Sequence, residues 1–414
     1  MNIFKSYWLV SELFLTFISW GLIIFIQLAF SWFFVEKIIL LTYLLPILLL
    51  VVFYASHKSC AGYIVNNYHI NLKKSINILW PSILAFATVV FIFIDYVGNF
   101  NKELSAIREV GIESSKGSYK DALYIFIFPV LILTFIVANY NDLKHKKFIN
   151  ILALLSCFAF IPINGGRINF LLFGILYFAI NFTKDFTNFK KNIFKNILKY
   201  IGIILLVIII VTAYSTLRTG ADNQDLVNHI SKFQYINSNA LTSLEKVPYG
   251  LVLIIIIITF YDYTGSNIFH LSIFVDNFDK INYHTYGFYQ FNILDIFNII
   301  NFKKTHDDID RLYLNYDINH NVWASIFRDT IVDFGYIGSY IFLFSMGIVL
   351  FKTRKYISKS YSAQILYFLT LIFFIFSPYH SFFYVTNVYG TAYLFAIILF
   401  IRFKLKRSYF IKKV

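Results

Sequence analysis

Residues 122–139 read ALYIFIFPVLILTFIVAN, a run of apolar side chains that contains no charge. A helix needs roughly 20 such residues to cross the hydrocarbon core of a bilayer. Apolar runs of similar length recur along the whole chain. The sequence therefore predicts an all-α polytopic membrane protein of about ten transmembrane helices. The predicted spans are 13–34, 38–55, 79–98, 122–139, 148–162, 167–183, 199–217, 331–351, 363–378 and 383–402.

The composition argues against a soluble globular protein. Of the 414 residues, 58% are hydrophobic and 14% are charged, whereas soluble chains carry roughly 25% charged residues. A soluble domain has no means of burying so many helices that are apolar on every face. The two cysteines, Cys60 and Cys157, are far apart and have neither a CxxC nor a metal-ligand spacing, so we expect two unpaired thiols.

The distribution of basic residues predicts the orientation. Lys and Arg cluster in short segments at 56–78, 140–147, 184–198, 352–362 and in the tail from Arg402. The positive-inside rule places these segments in the cytoplasm. This bias explains the net charge of +14 without nucleic acid as a partner. Lys5 precedes the first apolar run, which is too long for a signal-peptide core. We therefore predict an uncleaved first helix and both termini in the cytoplasm.

Two longer segments, 99–121 and 218–330, are predicted to lie on the outer side of a single integral membrane domain, 1–414. The second is rich in Tyr, Asn, Asp and His, and loops of this length usually carry function. It contains a short apolar run at 249–261. Because one full crossing there would reverse the orientation of every later helix, we predict that this run dips into the membrane or lies along its outer surface.

No motif for nucleotide binding, zinc proteolysis or serine hydrolysis occurs in the sequence. Asp307, Asp308 and Asp310 follow His306 in the long loop, and carboxylates in this pattern could hold a divalent cation. A solvated polar loop is the more common explanation of such a cluster. We predict no cofactor.

Five arginines lie at or beyond the predicted outer boundary of the membrane: Arg108, Arg167, Arg218, Arg311 and Arg328. A guanidinium binds phosphate through a planar set of donors and keeps its charge. Arg167 follows Gly165 and Gly166, which permit close backbone approach, and amides at that helix start favour an anion. The alternatives are anchoring to ordinary lipid headgroups and a simple turn between spans.

A second group of polar residues surrounds the span predicted at 331–351. His320 and Asn321 are suited to hydrogen bonds with sugar hydroxyls, and Asp333 enters the outer end of the span. A carboxylate there is costly unless it is paired or faces a wet cavity. Arg328 is its nearest basic candidate along the sequence. The alternative is a charge that a helix amino terminus stabilises.

The chain resembles the Wzy-type O-antigen and capsule repeat-unit polymerases of bacterial inner membranes. The resemblance rests on the Gly-Gly-Arg turn at 165–167 and on the long outer loop with YDYTGSNIFHLS at 261–272. It also rests on Asn321 followed by Asp333-Phe334-Gly335 and Gly338. Some polymerases carry an Arg-x10-Gly motif in outer loops, and none of the outer arginines here has that spacing.

The resemblance implies a fold like that of the C-type membrane glycosyltransferases. It implies that the growing glycan moves from its undecaprenyl-pyrophosphate carrier to a new lipid-linked unit, at the outer face of the bacterial cytoplasmic membrane. A flippase and a chain-length regulator are the implied partners. On this basis Arg167, Arg218 and Arg328 hold the diphosphate, and Arg108 and Arg311 assist. His320, Asn321 and Asp333 position the acceptor. A ligase of O-antigen and a transporter of lipid-linked sugar remain alternatives.

Overall fold

The computed structural model describes the parts of the chain named here and leaves gaps between them. They are residues 7–34, 38–60, 77–98, 119–164, 167–184, 236–248, 266–280, 284–286, 303–314, 325–379 and 387–411, with a few single positions between 250 and 261. Helices make up nearly all of these residues. The pairing between Phe34 and Ile236 is an isolated bridge, and the described residues form no β-strand.

The described helices are numbered in chain order. They are α1 Tyr7–Ala29, α2 Leu40–Cys60, α3 Leu79–Gly98, α4 Tyr119–Tyr140, α5 Lys146–Asn164, α6 Arg167–Lys184, α7 Ser238–Glu245, α8 Ser266–Asn277, α9 Lys303–Leu314, α10 Ser325–Arg354, α11 Tyr361–Ile375 and α12 Asn387–Ile411. A helix lies at each predicted span except 199–217, which falls outside the described residues. The all-α prediction is confirmed for the described part of the chain.

Three described helices are long and apolar enough to cross a membrane: Leu40–Cys60, Leu123–Tyr140 within α4, and Ser325–Arg354. Shorter apolar helices lie at Leu15–Ala29, Leu79–Ile94, Leu172–Lys184 and Tyr361–Ile375. Large apolar side chains cover the outside of the protein, as expected of a surface that faces lipid. Ile337 is 79% exposed and Leu40 is 74% exposed.

Helix α10 packs against α2, α8 and α11. Gly347 allows α10 to approach α2 closely, since a Cβ there would lie 2.5 Å from Ser56 Oγ. In this close contact the Ser56 hydroxyl donates to the Phe344 carbonyl at 3.1 Å. Small residues serve this purpose in membrane helix pairs, where van der Waals packing replaces the hydrophobic effect. A second layer forms where α4 packs against α3, α5 and α12.

The structure changes one predicted boundary that bears on function. We predicted a span beginning at 331, whereas α10 begins at Ser325 and therefore includes Arg328. At the single positions described within 249–261 the chain is helical, with Ile254, Ile258 and Tyr261 buried. Residues 99–118 and about half of 218–330 lie outside the described residues, whereas α7, α8 and α9 lie within the second segment.

Candidate functional site

Helix α10 consists of two helical segments that meet at Gly335. This residue has φ 67° and ψ −178°, in the middle of an otherwise helical run. The region is open essentially to glycine alone. The second segment, from Tyr336 to Arg354, spans roughly 28 Å at 1.5 Å per residue, close to the thickness of a bilayer core. The first segment, Ser325–Phe334, is the candidate site.

Every residue from Ser325 to Asp333 is buried. The amino-terminal amides of this segment already have partners in the protein. Ser325 N–H donates to the Tyr379 carbonyl at 3.0 Å, and Ile326 N–H donates to the Ser377 carbonyl at 2.8 Å. Trp20 Nε1 donates to Ser377 Oγ at 2.8 Å and so fixes the same turn against α1. The segment is thus held rigidly at its first turn.

The carboxyl-terminal end of the segment is closed by a short stretch of the long loop, residues 284–286. Thr285 N–H donates to the Val332 carbonyl at 3.3 Å, and Tyr286 N–H donates to the Asp333 carbonyl at 2.9 Å. These bonds satisfy carbonyls that a helix end leaves without intrahelical partners. The Thr285 hydroxyl also donates to Asp333 Oδ1 at 2.5 Å. The loop therefore fixes both the backbone and the carboxylate at the break.

Three ionisable side chains lie on this buried segment. Arg328 is 3% exposed, and Asp329 and Asp333 are 0% exposed. Arg328 Nε donates to Asp329 Oδ1 at 3.1 Å. The sequence suggested Asp333 as the partner of Arg328, but the ion pair found in the structure is with Asp329. At about 100° per residue, side chains five positions apart point about 140° away from each other around a helix.

The structure places the remaining predicted residues as follows. Arg311 is exposed on α9 and lies 3.7 Å from Asp308, one turn away. Arg167 is the first residue of α6, but its side chain lies outside what the structure describes. Six further predicted residues lie entirely outside the described part of the chain: Gly165, Gly166, Arg108, Arg218, His320 and Asn321. The structure thus brings Arg328 and Asp333 onto one segment and places Arg311 on a separate, exposed helix.

The acidic cluster at 307–310 lies on α9. Asp308 faces Arg311 there. Among the side chains that the structure describes, no three His, Cys, Asp or Glu groups lie close enough together to hold a metal ion.

Sequence reasoning missed Asp329, Thr285 and His284. Asp329 could have been found, because it directly follows Arg328 in a stretch that the sequence already marked as polar. Thr285 gave no signal, since it reaches Asp333 only through a contact between residues 48 positions apart.

A second buried ion pair lies at the other end of α10. Arg354 Nη1 donates to Glu12 Oε2 at 3.1 Å, and the Tyr367 hydroxyl donates to Glu12 Oε1 at 2.6 Å. Glu12 is 1% exposed. Both carboxylate oxygens are therefore bonded, and the three side chains join α1, α10 and α11.

A third charged group is exposed and lies between α4 and α5. Asp142 accepts hydrogen bonds from Lys146 and from Lys184. Partial burial alone would raise the pKa of Asp142, but the bonds and charges of the two lysines outweigh it and hold the pKa below its usual value. The group connects the loop after α4 to the end of α6.

A scan against protein-family models, a search of curated proteins and a search of solved structures each found no match to this chain.

Proposed function

We propose that this chain is a membrane glycosyltransferase that polymerises oligosaccharide repeat units carried on undecaprenyl pyrophosphate. The proposal includes about ten transmembrane helices, a fold like that of the C-type glycosyltransferases, and a site on the outer face of a bacterial cytoplasmic membrane. Both termini lie in the cytoplasm in this scheme. A flippase supplies the repeat units, and a chain-length regulator limits the product.

The observation that carries the proposal is the buried charge cluster on the broken helix. Burying an ion costs several kcal/mol even after relaxation, and a well-packed apolar segment would avoid that cost. Ionisable residues in membrane helices are rare and mark functional pathways. The segment carries a guanidinium for an anionic headgroup, the Asp329 carboxylate bonded to it, and a second buried carboxylate, Asp333, further along. These are the groups that a reaction between a diphosphate and a sugar hydroxyl requires.

In the proposed reaction the bond between the sugar C1 and the donor diphosphate breaks, and its electron pair leaves with the diphosphate. The acceptor hydroxyl oxygen forms the new glycosidic bond, and its proton passes to solvent. Arg328, together with Arg167 and Arg218, stabilises the negative charge of the leaving group. Preorganised donors of this kind are often the largest single contribution to catalysis. Since a diphosphate leaves readily, Asp333 serves to position the acceptor.

The charged residues of the proposed site are covered in this structure. Arg328 and Asp333 are closed off from solvent, with the Thr285 hydroxyl bonded to Asp333. Because residues 284–286 are bonded to the end of the first segment, their displacement is the movement that admits substrate in this scheme.

Reconstitution tests the proposed function directly. The purified protein is placed in liposomes with the repeat unit on its undecaprenyl-pyrophosphate carrier, extracted from a source strain that lacks this gene. We expect a ladder of longer glycans on the carrier and release of undecaprenyl pyrophosphate. A single unextended unit at equal protein content would refute the proposal. In cells, deletion should leave one repeat unit on the surface polysaccharide, whereas polymer retained on its carrier would indicate a ligase.

A transporter of lipid-linked sugars is the second candidate, and the break at Gly335 is the observation that favours it. Secondary transporters bind their substrates at discontinuous helices with polar groups at the break. In the same liposomes, a transporter would carry the lipid-linked unit across the bilayer without lengthening it. Accessibility of the glycan to an external glycosidase separates the two outcomes.

A further inference from the structure

The short stretch 284–286 presents alternate side chains to opposite sides. Thr285 is buried and bonded to Asp333, whereas His284 and Tyr286 on either side of it are exposed. Because the backbone of this stretch is bonded to Val332 and Asp333, the two exposed side chains are fixed at the break in α10.

Tyr286 is held in a strained backbone conformation while its ring faces outward. Its φ is 54°, in the left-handed region that bulky side chains rarely enter. The ring is 77% exposed, so burial of the side chain does not offset the strain. Strained residues that the surrounding structure fixes in place are concentrated at ligand sites.

The imidazole of His284 lies directly over the break. A Cβ on Gly335 would lie 3.2 Å from His284 Cε1 and 3.3 Å from Nε2. Phe278 stacks against the same imidazole, with ring centroids 6.1 Å apart and planes at 24°. The orientation of the imidazole is therefore set from two sides, by a glycine backbone and by an aromatic face.

Tyr336 also packs against Phe278. Its ring meets Phe278 edge to face at 5.4 Å. The exposed Asp279 carboxylate is close enough to interact electrostatically with the Tyr336 hydroxyl. The break thus has an imidazole, two phenols and a carboxylate around it.

This combination matches the chemistry of a sugar ring. A pyranose has faces of C–H groups that pack on aromatic rings, and an edge of hydroxyls that needs donors and acceptors. Tyr and His provide an apolar ring and a polar tip at low entropic cost. We propose that His284, Tyr286, Tyr336 and Asp279 bind one sugar ring of the lipid-linked glycan. This inference rests on the proposed function and adds a glycan subsite to it.

The subsite is tested with Tyr286→Asn, because asparagine tolerates a positive φ, so the whole phenol is removed without added backbone strain. Initial rates of polymer formation are measured in nanodiscs against the concentration of the carrier-linked unit. We expect the KM to rise about tenfold and kcat to stay within about twofold. Tyr286→Phe should keep the wild-type KM. Tyr177→Ala, which removes an exposed tyrosine from α6, is the matched control and should also change nothing.

A second measurement keeps the subsite testable if no polymer forms. The repeat-unit oligosaccharide is released from its carrier by mild acid and added to the nanodiscs, and saturation transfer from protein to sugar is recorded by NMR. Transfer in the wild type that disappears in Tyr286→Asn supports the subsite even if polymerisation fails. An unchanged KM, or equal transfer in both proteins, would overturn it. These outcomes would place Tyr286 among the aromatic residues that contact lipid headgroups.

Discussion

The two ends of helix α10 each bury an ion pair, but the two pairs are built differently. At the end of the helix, Arg354 donates to one carboxylate oxygen of Glu12, and the Tyr367 hydroxyl donates to the other. The partners lie more than 340 positions apart in the sequence, so their bonds join separate helices. At the beginning, Arg328 binds its immediate neighbour Asp329. This bond lies within one helical segment, whereas the Glu12–Arg354 bond joins two helices.

The difference suggests different roles for the two pairs. Removing either partner of a pair that joins helices should affect stability first. The pair on the first segment of α10 lies six to seven residues before the break at Gly335, where the strained Tyr286 and the exposed His284 are found. We therefore assign the Glu12–Arg354 pair to the fold and the Arg328–Asp329 pair to activity.

Arg354→Ala should have the largest effect on stability. It leaves Glu12 buried without its charged partner, and breaking a buried pair in this way costs about 3–5 kcal/mol. The midpoint of thermal unfolding in detergent micelles measures the loss. Arg402→Ala, an exposed arginine on α12, is the control and should leave the midpoint unchanged. A stable Arg354→Ala protein with reduced activity would reverse the assignment of the two ends.

Gly335→Ala should have a smaller effect on stability and act at the break. An alanine there is strained by about 1–3 kcal/mol at φ 67°, and its Cβ crowds the His284 ring. Gly174→Ala is the matched control, because nothing lies within 4 Å of a Cβ at that position. Unfolding midpoints of the two variants are compared. Equal midpoints would mean that an alanine is not strained at residue 335, which would contradict this account of the break.

Asp142→Asn should have the smallest effect, because the side chain is half exposed and solvent screens its two lysines. The pKa of Asp142 is lowered in the folded protein, so its contribution is present above the usual aspartate pKa of about 4 and is lost as the pH falls below it. Unfolding of wild type and Asp142→Asn is compared at neutral and acidic pH. A difference that persists at acidic pH would contradict this interpretation.

The sequence was sufficient for the long apolar helices, but not for α7, α8 and α9, which lie in the segment predicted as an outer loop, nor for the contacts between helices. Runs such as 122–139 predict α4 because length and hydropathy are local properties. Arg328 and Asp333 were also identified from the local sequence, because they are charged residues at the edge of an apolar span. Asp329 carried the same local signal, because it directly follows Arg328. Thr285 carried none, since it reaches Asp333 across 48 positions. The break at Gly335 was equally hidden, since a glycine in a helical run also serves tight packing.

The central claim is that the buried guanidinium of Arg328 acts on the lipid-linked diphosphate, and one comparison of variants tests it. Arg328→Ala and Arg328→Lys are assayed for polymer formation in liposomes at equal folded protein, and the unfolding midpoint is measured alongside. We predict that Arg328→Ala loses about 10²–10³-fold in kcat. We expect Arg328→Lys to retain part of that rate, because it keeps the charge without the planar donors. An Arg328→Ala protein that polymerises at the wild-type rate would contradict the account.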